Sequence, residues 1–423
     1  MSDAVADLNT ANESDDDTSS TGVSVLVSRS LRAIGDAATT ATTTVGDKLD
    51  ATLRGARTAR AVSDLDRRIS AFRRERKIGK GTLRATFTVA FRGFVSGGQA
   101  HFQVRVLEEP VIPQASAALT DPKVLRTNLR RFVALAFPGV KVSVLLNGIA
   151  GEGITDRHGY AAIHLPAADL APGWHEYHVV TVPVDPSEKP SFTTGEVIAP
   201  DPAAPFAVIS DVDDTVLRTG LTEGFAAVRR TLLGSPETRR AIPGMAELYA
   251  GLREGLRQQH PPAFFYVSTG PWTLYDMLVE FLEIRGFPKG ALFLTDWGPQ
   301  ERYVMRSGRE HKRLTISRLF AAFPETRFIL IGDSGQHDPD TYVEAARNYP
   351  GCVDSIFIID VGEHLAERAL ELHGWNESLA AEGITFNFVG NAAEAARILA
   401  ERELVPNSVV AEVEQAISGA NAG

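Results

Sequence analysis

One short apolar run that ends in carboxylates, Phe206–Val216, constrains the fold more than any other segment. Its uninterrupted apolar part predicts a parallel strand buried on both faces, because half-exposed strands alternate apolar and polar residues. Asp211 and Asp213 follow at the carboxyl end of this strand, where open α/β sheets place their ligands. An aspartate in such a pair can bind a metal ion, or attack phosphorus and become transiently phosphorylated. Ordinary turn or helix-cap chemistry is the alternative for the same residues.

Two downstream residues, Ser268 and Lys312, add weaker signals. Ser268 follows a second apolar run, Phe264–Val267, and its hydroxyl can donate a hydrogen bond to a phosphoryl oxygen. The same Ser-Thr-Gly sequence is also typical of a helix cap. Lys312 opens a helical pattern of apolar residues, and we predict that it lies in the first turn, where the helix dipole disfavours a cation. A functional ammonium and a solvated surface lysine both explain this position.

A third apolar run, Phe328–Gly332, decides between these interpretations because Asp333 and Asp338 follow it. A few carboxylates at strand ends are the ligands that Mg²⁺ requires in proteins. The pattern of a strand followed by an acid therefore occurs twice, with the serine and lysine segments between the two. We predict that these residues form one site at the carboxyl edge of a parallel sheet.

These motifs resemble those of a known superfamily. Asp211-x-Asp213-x-Thr215, Ser268, Lys312 and Gly332-Asp333-x4-Asp338 resemble, in this order, the four motifs of the haloacid dehalogenase-like superfamily. More narrowly, residues from about 203 to 405 resemble the App1-like phosphatidate phosphatase catalytic domain family. The segments Ser268–Tyr275 and Gly332–Asp340 carry much of this narrower resemblance.

The resemblance implies a role for each motif residue in a Mg²⁺-dependent phosphatase. Asp211 is expected to be the nucleophile, and Asp213 the general acid and base. Ser268 and Lys312 are expected to hold the phosphoryl oxygens of the substrate. The implied metal ligands are the Asp211 side chain, the Asp213 main-chain carbonyl, Asp333 and Asp338.

Other residues near these motifs leave alternatives open. Asp214 is interpreted as a cap or supporting residue rather than a ligand. His337 is interpreted as a structural histidine, with substrate contact as the alternative. Trp272 and Trp297 either flank the mouth of the site or belong to the core.

Changes in composition along the chain predict five regions. Residues 1–22 form an acidic, Ser/Thr-rich tail that is expected to be disordered, and residues 23–80 form a basic helical segment. Alternating apolar runs in 81–200 predict an all-β sandwich domain. Residues 201–405 are expected to form a Rossmann-like α/β domain of the haloacid dehalogenase type, and 406–423 a C-terminal tail.

The spacing of the motifs limits any covering domain over the site. Only the interval Val216–Ile242 and part of the interval from Ser268 to Lys312 are free for a lid, so we predict a minimal cap and an open site. Open sites suit large or membrane-embedded phosphoesters, which agrees with a lipid phosphate substrate. The alternatives are a protein or nucleotide phosphoester, or a non-enzymatic protein that binds a partner through the β domain.

Charge and cysteine content bear on partners and compartment. The 423 residues carry a formal net charge of −10, which argues against nucleic acid as a partner. Cys352 is the only cysteine, which fits a reducing cytoplasm. The sequence shows neither a signal peptide nor an apolar stretch long enough to span a bilayer. The basic stretch 54–80 is either a solvated helical face or a peripheral contact with an anionic membrane.

Overall fold

The computed structural model describes eight parts of the chain, residues 86–108, 135–182, 190–217, 241–255, 260–295, 308–335, 337–361 and 374–422. The predicted acidic tail 1–22 and basic segment 23–80 lie outside the described residues. Two sheets organise the described parts. One is largely antiparallel and the other is parallel throughout.

Eight strands form the described part of the N-terminal β domain. They are β1 (Thr86–Ala90), β2 (Gly93–Ser96), β3 (Gln99–Glu108), β4 (Lys141–Leu146), β5 (Ile149–Ile154), β6 (Tyr160–Pro166), β7 (Gly173–Thr181) and β8 (Ser191–Ala199). Burial alternates along β4 and β6, as expected for strands with one face on a core. That core contains Phe102, Val142, Ile163 and Tyr177. The predicted all-β character of this region is therefore confirmed.

Hydrogen bonds join the strands of the β domain into one continuous sheet. All eight strands belong to one hydrogen-bonded sheet, in the order β1-β3-β2-β8-β7-β4-β5, with β6 paired to β3. Strand β3 pairs with β6 along one edge and with both β1 and β2 along the other. The outer strands β5 and β6 also contact each other.

In the second domain, the described residues include six strands that form one parallel sheet. They are β9 (Ala207–Asp211), β10 (Phe264–Pro271), β11 (Ala291–Thr295), β12 (Phe328–Asp333), β13 (Val353–Ile359) and β14 (Thr385–Val389). Strands β9 and β12 are buried along their whole length, as the uninterrupted apolar runs predict. The order β11-β10-β9-β12-β13-β14 reverses direction between β9 and β12. Such a reversal opens a crevice at the carboxyl ends of the two strands, where open α/β sheets bind ligands.

Helices cover both faces of the parallel sheet. They are α1 (Met245–Glu254), α2 (Tyr275–Ile284), α3 (Gly308–Ala322), α4 (Asp338–Asn348), α5 (Ala392–Glu401) and α6 (Asn407–Ala422). Helices α1, α2, α5 and α6 pack on the face that carries Val208 and Ile329. Helices α3 and α4 pack on the opposite face, with Ile209 and Leu330. The α/β class is confirmed. The segments 218–240 and 296–307, where a minimal cap would fall, lie outside the described residues.

Residues 407–422, predicted as part of a tail, instead form a helix that belongs to the α/β domain. Val409 and Val413 of α6 are buried in the same core as α1 and α5. A Cβ atom on Gly251 of α1 would lie 2.6 Å from Val409 Cγ1, so a glycine is needed for this close approach. The apolar spacing of Val409 and Val413 is that of a helix with one buried stripe.

We expect Val413→Ala to lower the free energy of unfolding by about 2 kcal/mol, because it removes two methyl groups from a fully buried site. Gln415→Ala on the exposed side of the same helix is the control and should change stability by less than about 0.5 kcal/mol. Urea unfolding followed by circular dichroism measures both variants. Equal midpoints for Val413→Ala and wild type would show that α6 is not part of the folded core.

Candidate active site

Three carboxylates meet at the point where the strand order reverses. Asp211 is the last residue of β9, Asp333 is the last residue of β12, and the two strands are adjacent and parallel. Asp338 is the first residue of α4. One oxygen from each of these three side chains lies within 4.8 Å of the others, and all three residues are buried. The predicted adjacency of the strands leading into Asp211 and Asp333 is confirmed.

The turn between β12 and α4 brings Asp338 back over the strand. A Cβ atom on Gly332 would lie 2.6 Å from Asp338 Oδ2 and 2.8 Å from Tyr342 Cε2. The missing side chain at Gly332 therefore leaves the space that Asp338 occupies. The Gly335 N–H donates a hydrogen bond of 2.8 Å to Asp333 Oδ1 and orients this carboxylate.

Lys312 is a buried ammonium at the centre of the cluster. Its Nζ atom lies 2.7 Å from Asp211 Oδ1 and 2.5 Å from Asp338 Oδ1, and the side chain is only 3% exposed. This excludes the solvated-surface interpretation. The predicted position in the first turn is wrong, because α3 begins at Gly308 and Lys312 follows in the second turn. The helix begins before its apolar pattern does, so a start predicted from that pattern lies too far along the chain.

Asp213 and Ser268 form a second, adjoining group. The Ser268 hydroxyl donates a hydrogen bond of 2.7 Å to Asp213 Oδ2, and the Gly270 N–H donates one of 2.9 Å to Ser268 Oγ. Ser268 lies within β10, and the residue at the N-cap of α2 is Leu274. The helix-cap interpretation of Ser268 is therefore wrong.

Burial dominates the electrostatics of the acids. It raises the pKa of Asp211 well above its usual range, which the Lys312 ammonium only partly offsets. Burial also raises the pKa of Asp333, and the neighbouring Asp338 adds to the shift. Burial also raises the pKa of Asp213, although the hydrogen bond from Ser268 acts to lower it. Burial alone would lower the pKa of Lys312, but Asp211 and Asp338 outweigh it and raise this pKa.

The donor set fits a divalent cation. Among the described residues, three buried carboxylates face the ammonium of Lys312, so this group of side chains carries an excess of negative charge when ionised. Asp211 Oδ2 accepts no hydrogen bond within the described part of the chain, although it is buried. An oxygen-rich, partly unsatisfied carboxylate cluster is the kind of site that Mg²⁺ occupies, with water and substrate oxygens completing its shell.

Hydroxyl groups behind the strands support the cluster, and no sequence motif indicates them. The Ser210 hydroxyl donates to the Asp211 carbonyl oxygen at 2.6 Å and lies 2.7 Å from the Tyr249 hydroxyl. The Tyr342 hydroxyl donates to the Ile331 carbonyl oxygen at 3.0 Å. Tyr249 lies on α1, 39 residues from Ser210, and Tyr342 lies on α4, 11 residues from Ile331, so each contact joins two different elements and no local pattern indicates it.

The sequence leaves the roles of four other residues open, namely Asp214, His337, Trp272 and Trp297. Asp214 adopts a left-handed conformation with φ of 59°, and its N–H donates to the Leu217 carbonyl oxygen, which fits a turn role. His337 is exposed at the N-cap of α4. Trp272 is half-buried and packs against Arg105 of the β domain. Trp297 lies outside the described residues.

Within the described parts of the chain, no helix combines the length and the apolar character needed to cross a membrane.

Comparisons with known proteins point to one family. The family model for the catalytic domain of phosphatidate phosphatase APP1 matches residues 206–360. The phosphatidate phosphatase APP1 of Saccharomyces cerevisiae is 27% identical over 252 residues, which cover 57% of this chain and 41% of the yeast protein. An uncharacterised protein of Schizosaccharomyces pombe is 28% identical over 156 residues, covering 37% of this chain and 25% of that protein. This chain therefore spans less than half the length of either relative.

Solved structures add little to these matches. A Ca²⁺-stabilised ice-binding adhesin of an Antarctic bacterium is 15% identical, with a TM-score of 0.17 and coverage of 30% of this chain and 29% of the adhesin. A similarity this low supports neither a fold nor a function.

The matched segment 206–360 begins just before β9 and ends just after β13, so it contains Asp211, Asp213, Ser268, Lys312, Asp333 and Asp338. The resemblance predicted from the motifs is confirmed, because residues 206–360 match the model of the phosphatidate phosphatase APP1 catalytic-domain family.

Proposed function

We propose that this protein is a Mg²⁺-dependent phosphatase of the haloacid dehalogenase type that forms an aspartyl-phosphate intermediate, with phosphatidate or a related lipid phosphate as substrate. One observation carries the proposal: the buried group of Asp211, Lys312, Asp333 and Asp338 lies at the carboxyl edge of the parallel sheet, inside the segment that matches a phosphatidate phosphatase family. The strand order of the sheet supports the proposed fold type.

Asp211 is the proposed nucleophile because the motif resemblance assigns it this role, and its position at the end of a central strand and its buried Oδ2, which has no hydrogen-bond donor among the described residues, fit that role. An Asp211 oxygen forms a bond to phosphorus while the bond from phosphorus to the substrate alcohol oxygen breaks. Lys312, at 2.7 Å from Asp211, is placed to bind the transferring phosphoryl oxygens and to offset their charge.

Asp213 is the proposed acid and base. In the first step its proton passes to the oxygen of the departing alcohol. In the second step the ionised carboxylate takes a proton from water, the water oxygen bonds to phosphorus, and the bond between phosphorus and Asp211 breaks. Inorganic phosphate leaves and both aspartates return to their starting states. The hydrogen bond from Ser268 fixes the Asp213 carboxyl for both transfers.

The side chains of Asp211, Asp333 and Asp338 would hold Mg²⁺, and the resemblance adds the Asp213 carbonyl oxygen. A bound Mg²⁺ supplies positive charge that makes the phosphoryl group easier to attack. The protein contributes the fixed donor positions, which follow from the adjacency of β9 and β12 and from the space at Gly332.

A lipid substrate is proposed because the Saccharomyces cerevisiae relative is a phosphatidate phosphatase. The basic stretch 54–80, outside the described residues, is the proposed contact with an anionic membrane.

A panel of phosphate esters tests the activity and the substrate class together. We expect Mg²⁺-dependent release of phosphate from phosphatidate in mixed micelles, with a kcat/KM at least about tenfold above those of nucleotide, sugar and phosphopeptide substrates. A higher kcat/KM for a nucleotide or phosphopeptide would reassign the substrate. No release from any ester would leave a non-enzymatic binding protein as the better interpretation.

Asp211→Asn is expected to lower kcat by at least about 10³-fold while leaving the thermal midpoint nearly unchanged, because it removes a covalent nucleophile with little change in shape. Asp214→Asn is the matched control, since asparagine tolerates the left-handed conformation of this residue, and it should retain activity within about threefold. Mass spectrometry of acid-quenched protein should find phosphate on the peptide that contains Asp211. Near-wild-type turnover of Asp211→Asn would refute the mechanism.

Metal binding can be measured without an assay of activity. At about 100 times its dissociation constant, Mg²⁺ should stabilise the wild-type protein by about 2.7 kcal/mol, and EDTA should remove both this stabilisation and the activity. Asp333→Asn should abolish the heat of Mg²⁺ binding in titration calorimetry. Asp340→Asn, in the same first turn as Asp338 but outside the carboxylate cluster, is the control and should bind normally. Unchanged binding by Asp333→Asn would place the metal elsewhere.

A further inference from the structure

The β domain directly contacts the chain segment that follows Ser268. Arg105 of β3 is 7% exposed, and its guanidinium lies 3.9 Å from the ring centroid of Trp272 and 4.3 Å from that of Tyr160. The guanidinium also donates hydrogen bonds of 3.0 Å to the His158 carbonyl oxygen and 2.7 Å to the Tyr160 hydroxyl. A buried, planar cation held by two rings and two acceptors has little rotational freedom.

A second contact from the β domain reaches the same segment three residues further on. The Arg92 N–H donates a hydrogen bond of 2.6 Å to the Tyr275 hydroxyl. The ring of Phe91 packs edge-on against Tyr275, with centroids 4.8 Å apart. The short 3₁₀ helix Trp272–Leu274 and the start of α2 are thus held at both ends by the β domain.

The held segment is continuous with the Ser268 hydrogen bonds. The Gly270 N–H donates to Ser268 Oγ, and Gly270 is two residues before Trp272. The Thr295 hydroxyl of β11 lies 2.8 Å from the Thr269 carbonyl oxygen and 3.0 Å from that of Gly270. One residue separates Gly270 from Trp272, so the main chain links the position of Trp272 to Gly270 and to the Ser268 hydroxyl, which donates to Asp213 at 2.7 Å.

We propose that Arg105 is a positioning residue of the active site: through Trp272 it fixes the Ser268–Gly270 segment, and so the carboxyl of Asp213. The β domain is then part of the catalytic machinery rather than a separate binding module. This inference rests on the proposed phosphatase activity for its kinetic consequences, while its structural consequence can be measured independently.

Lys289, at the end of the domain interface opposite Trp272, provides a matched control. Lys289 precedes β11, at the amino edge of the parallel sheet, whereas Trp272 follows β10 at the carboxyl edge. Lys289 pairs with Glu196 of β8, and its Nζ lies 4.8 Å from the ring centroid of Trp174. Lys289→Met therefore removes a cation from the same interface and leaves the contacts of Arg105 and Trp272 in place, while Glu196 keeps Arg92, whose Nε lies 3.3 Å away, as a partner.

A double-mutant cycle tests whether Arg105 acts through Trp272. We expect Arg105→Ala and Trp272→Leu each to lower kcat by about 10- to 100-fold, because a small misplacement of catalytic groups has effects of this size. KM should change by less than about threefold, since the proton transfer by Asp213 takes place only in the transition state. The double variant should be no slower than the slower single variant, because both changes release the same segment. Lys289→Met should retain wild-type kcat.

Amide hydrogen exchange provides the readout that does not depend on activity. Arg105→Ala and Trp272→Leu should both speed exchange at the Gly270 amide by about tenfold or more, because its hydrogen bond to Ser268 opens more often. Lys289→Met should leave this exchange unchanged. If Arg105→Ala does not fold, Trp272→Leu tests the same contact from the α/β domain.

The outcomes separate this inference from the proposed function. Multiplicative losses of kcat in the double variant, an equal loss in Lys289→Met, or unchanged protection of Gly270 in Arg105→Ala would overturn the positioning role. An inactive wild-type protein whose Gly270 amide loses protection in Arg105→Ala would overturn the phosphatase proposal and retain the structural link.

Discussion

The described structure depends on one unfavourable arrangement, three carboxylates buried around a single ammonium. Removing each ion from water is expensive by roughly several kcal/mol, and Lys312 balances only part of the negative charge of Asp211, Asp333 and Asp338. Burial causes this cost, because Asp211 and Asp333 end two strands that are buried along their whole length, and the apolar packing of the rest of the α/β domain offsets it. Such a site favours a ligand that brings positive charge. Its position at the strand-order reversal, where open α/β sheets bind ligands, also indicates a ligand site.

The carboxylate cluster is held in place both by residues that contact it and by residues further away. Gly332 leaves the room that Asp338 needs, and the Ser210 and Tyr249 hydroxyls fix the main chain of Asp211. Further out, Arg105 and Trp272 join the β domain to the segment after Ser268. Phe94 extends the same interface with its ring centroid 6.0 Å from that of Phe265. The two domains therefore share a boundary that runs from the carboxyl edge of the parallel sheet towards its amino edge.

The sequence predicted those parts of the site whose signal is local. Strands β9 and β12 follow from uninterrupted apolar runs, and Asp211 and Asp333 follow from the polar residue at the end of each run. The start of α3 was misplaced because its first turn has no apolar pattern. The single hydrogen-bonded sheet of the β domain was not predictable, since alternation reveals a strand but not its partners. Arg105 and Tyr249 also carry no local signal, because their contacts join distant segments of the chain.

The position of α6 has a consequence for how the chain folds during synthesis. Strand β9 and helix α1 emerge from the ribosome long before residues 407–422, yet Val409 and Val413 are needed to cover α1 and α5. Until those residues are translated, one face of the nascent domain exposes aliphatic surface to water. Nascent surfaces of this kind bind chaperones or associate with other chains.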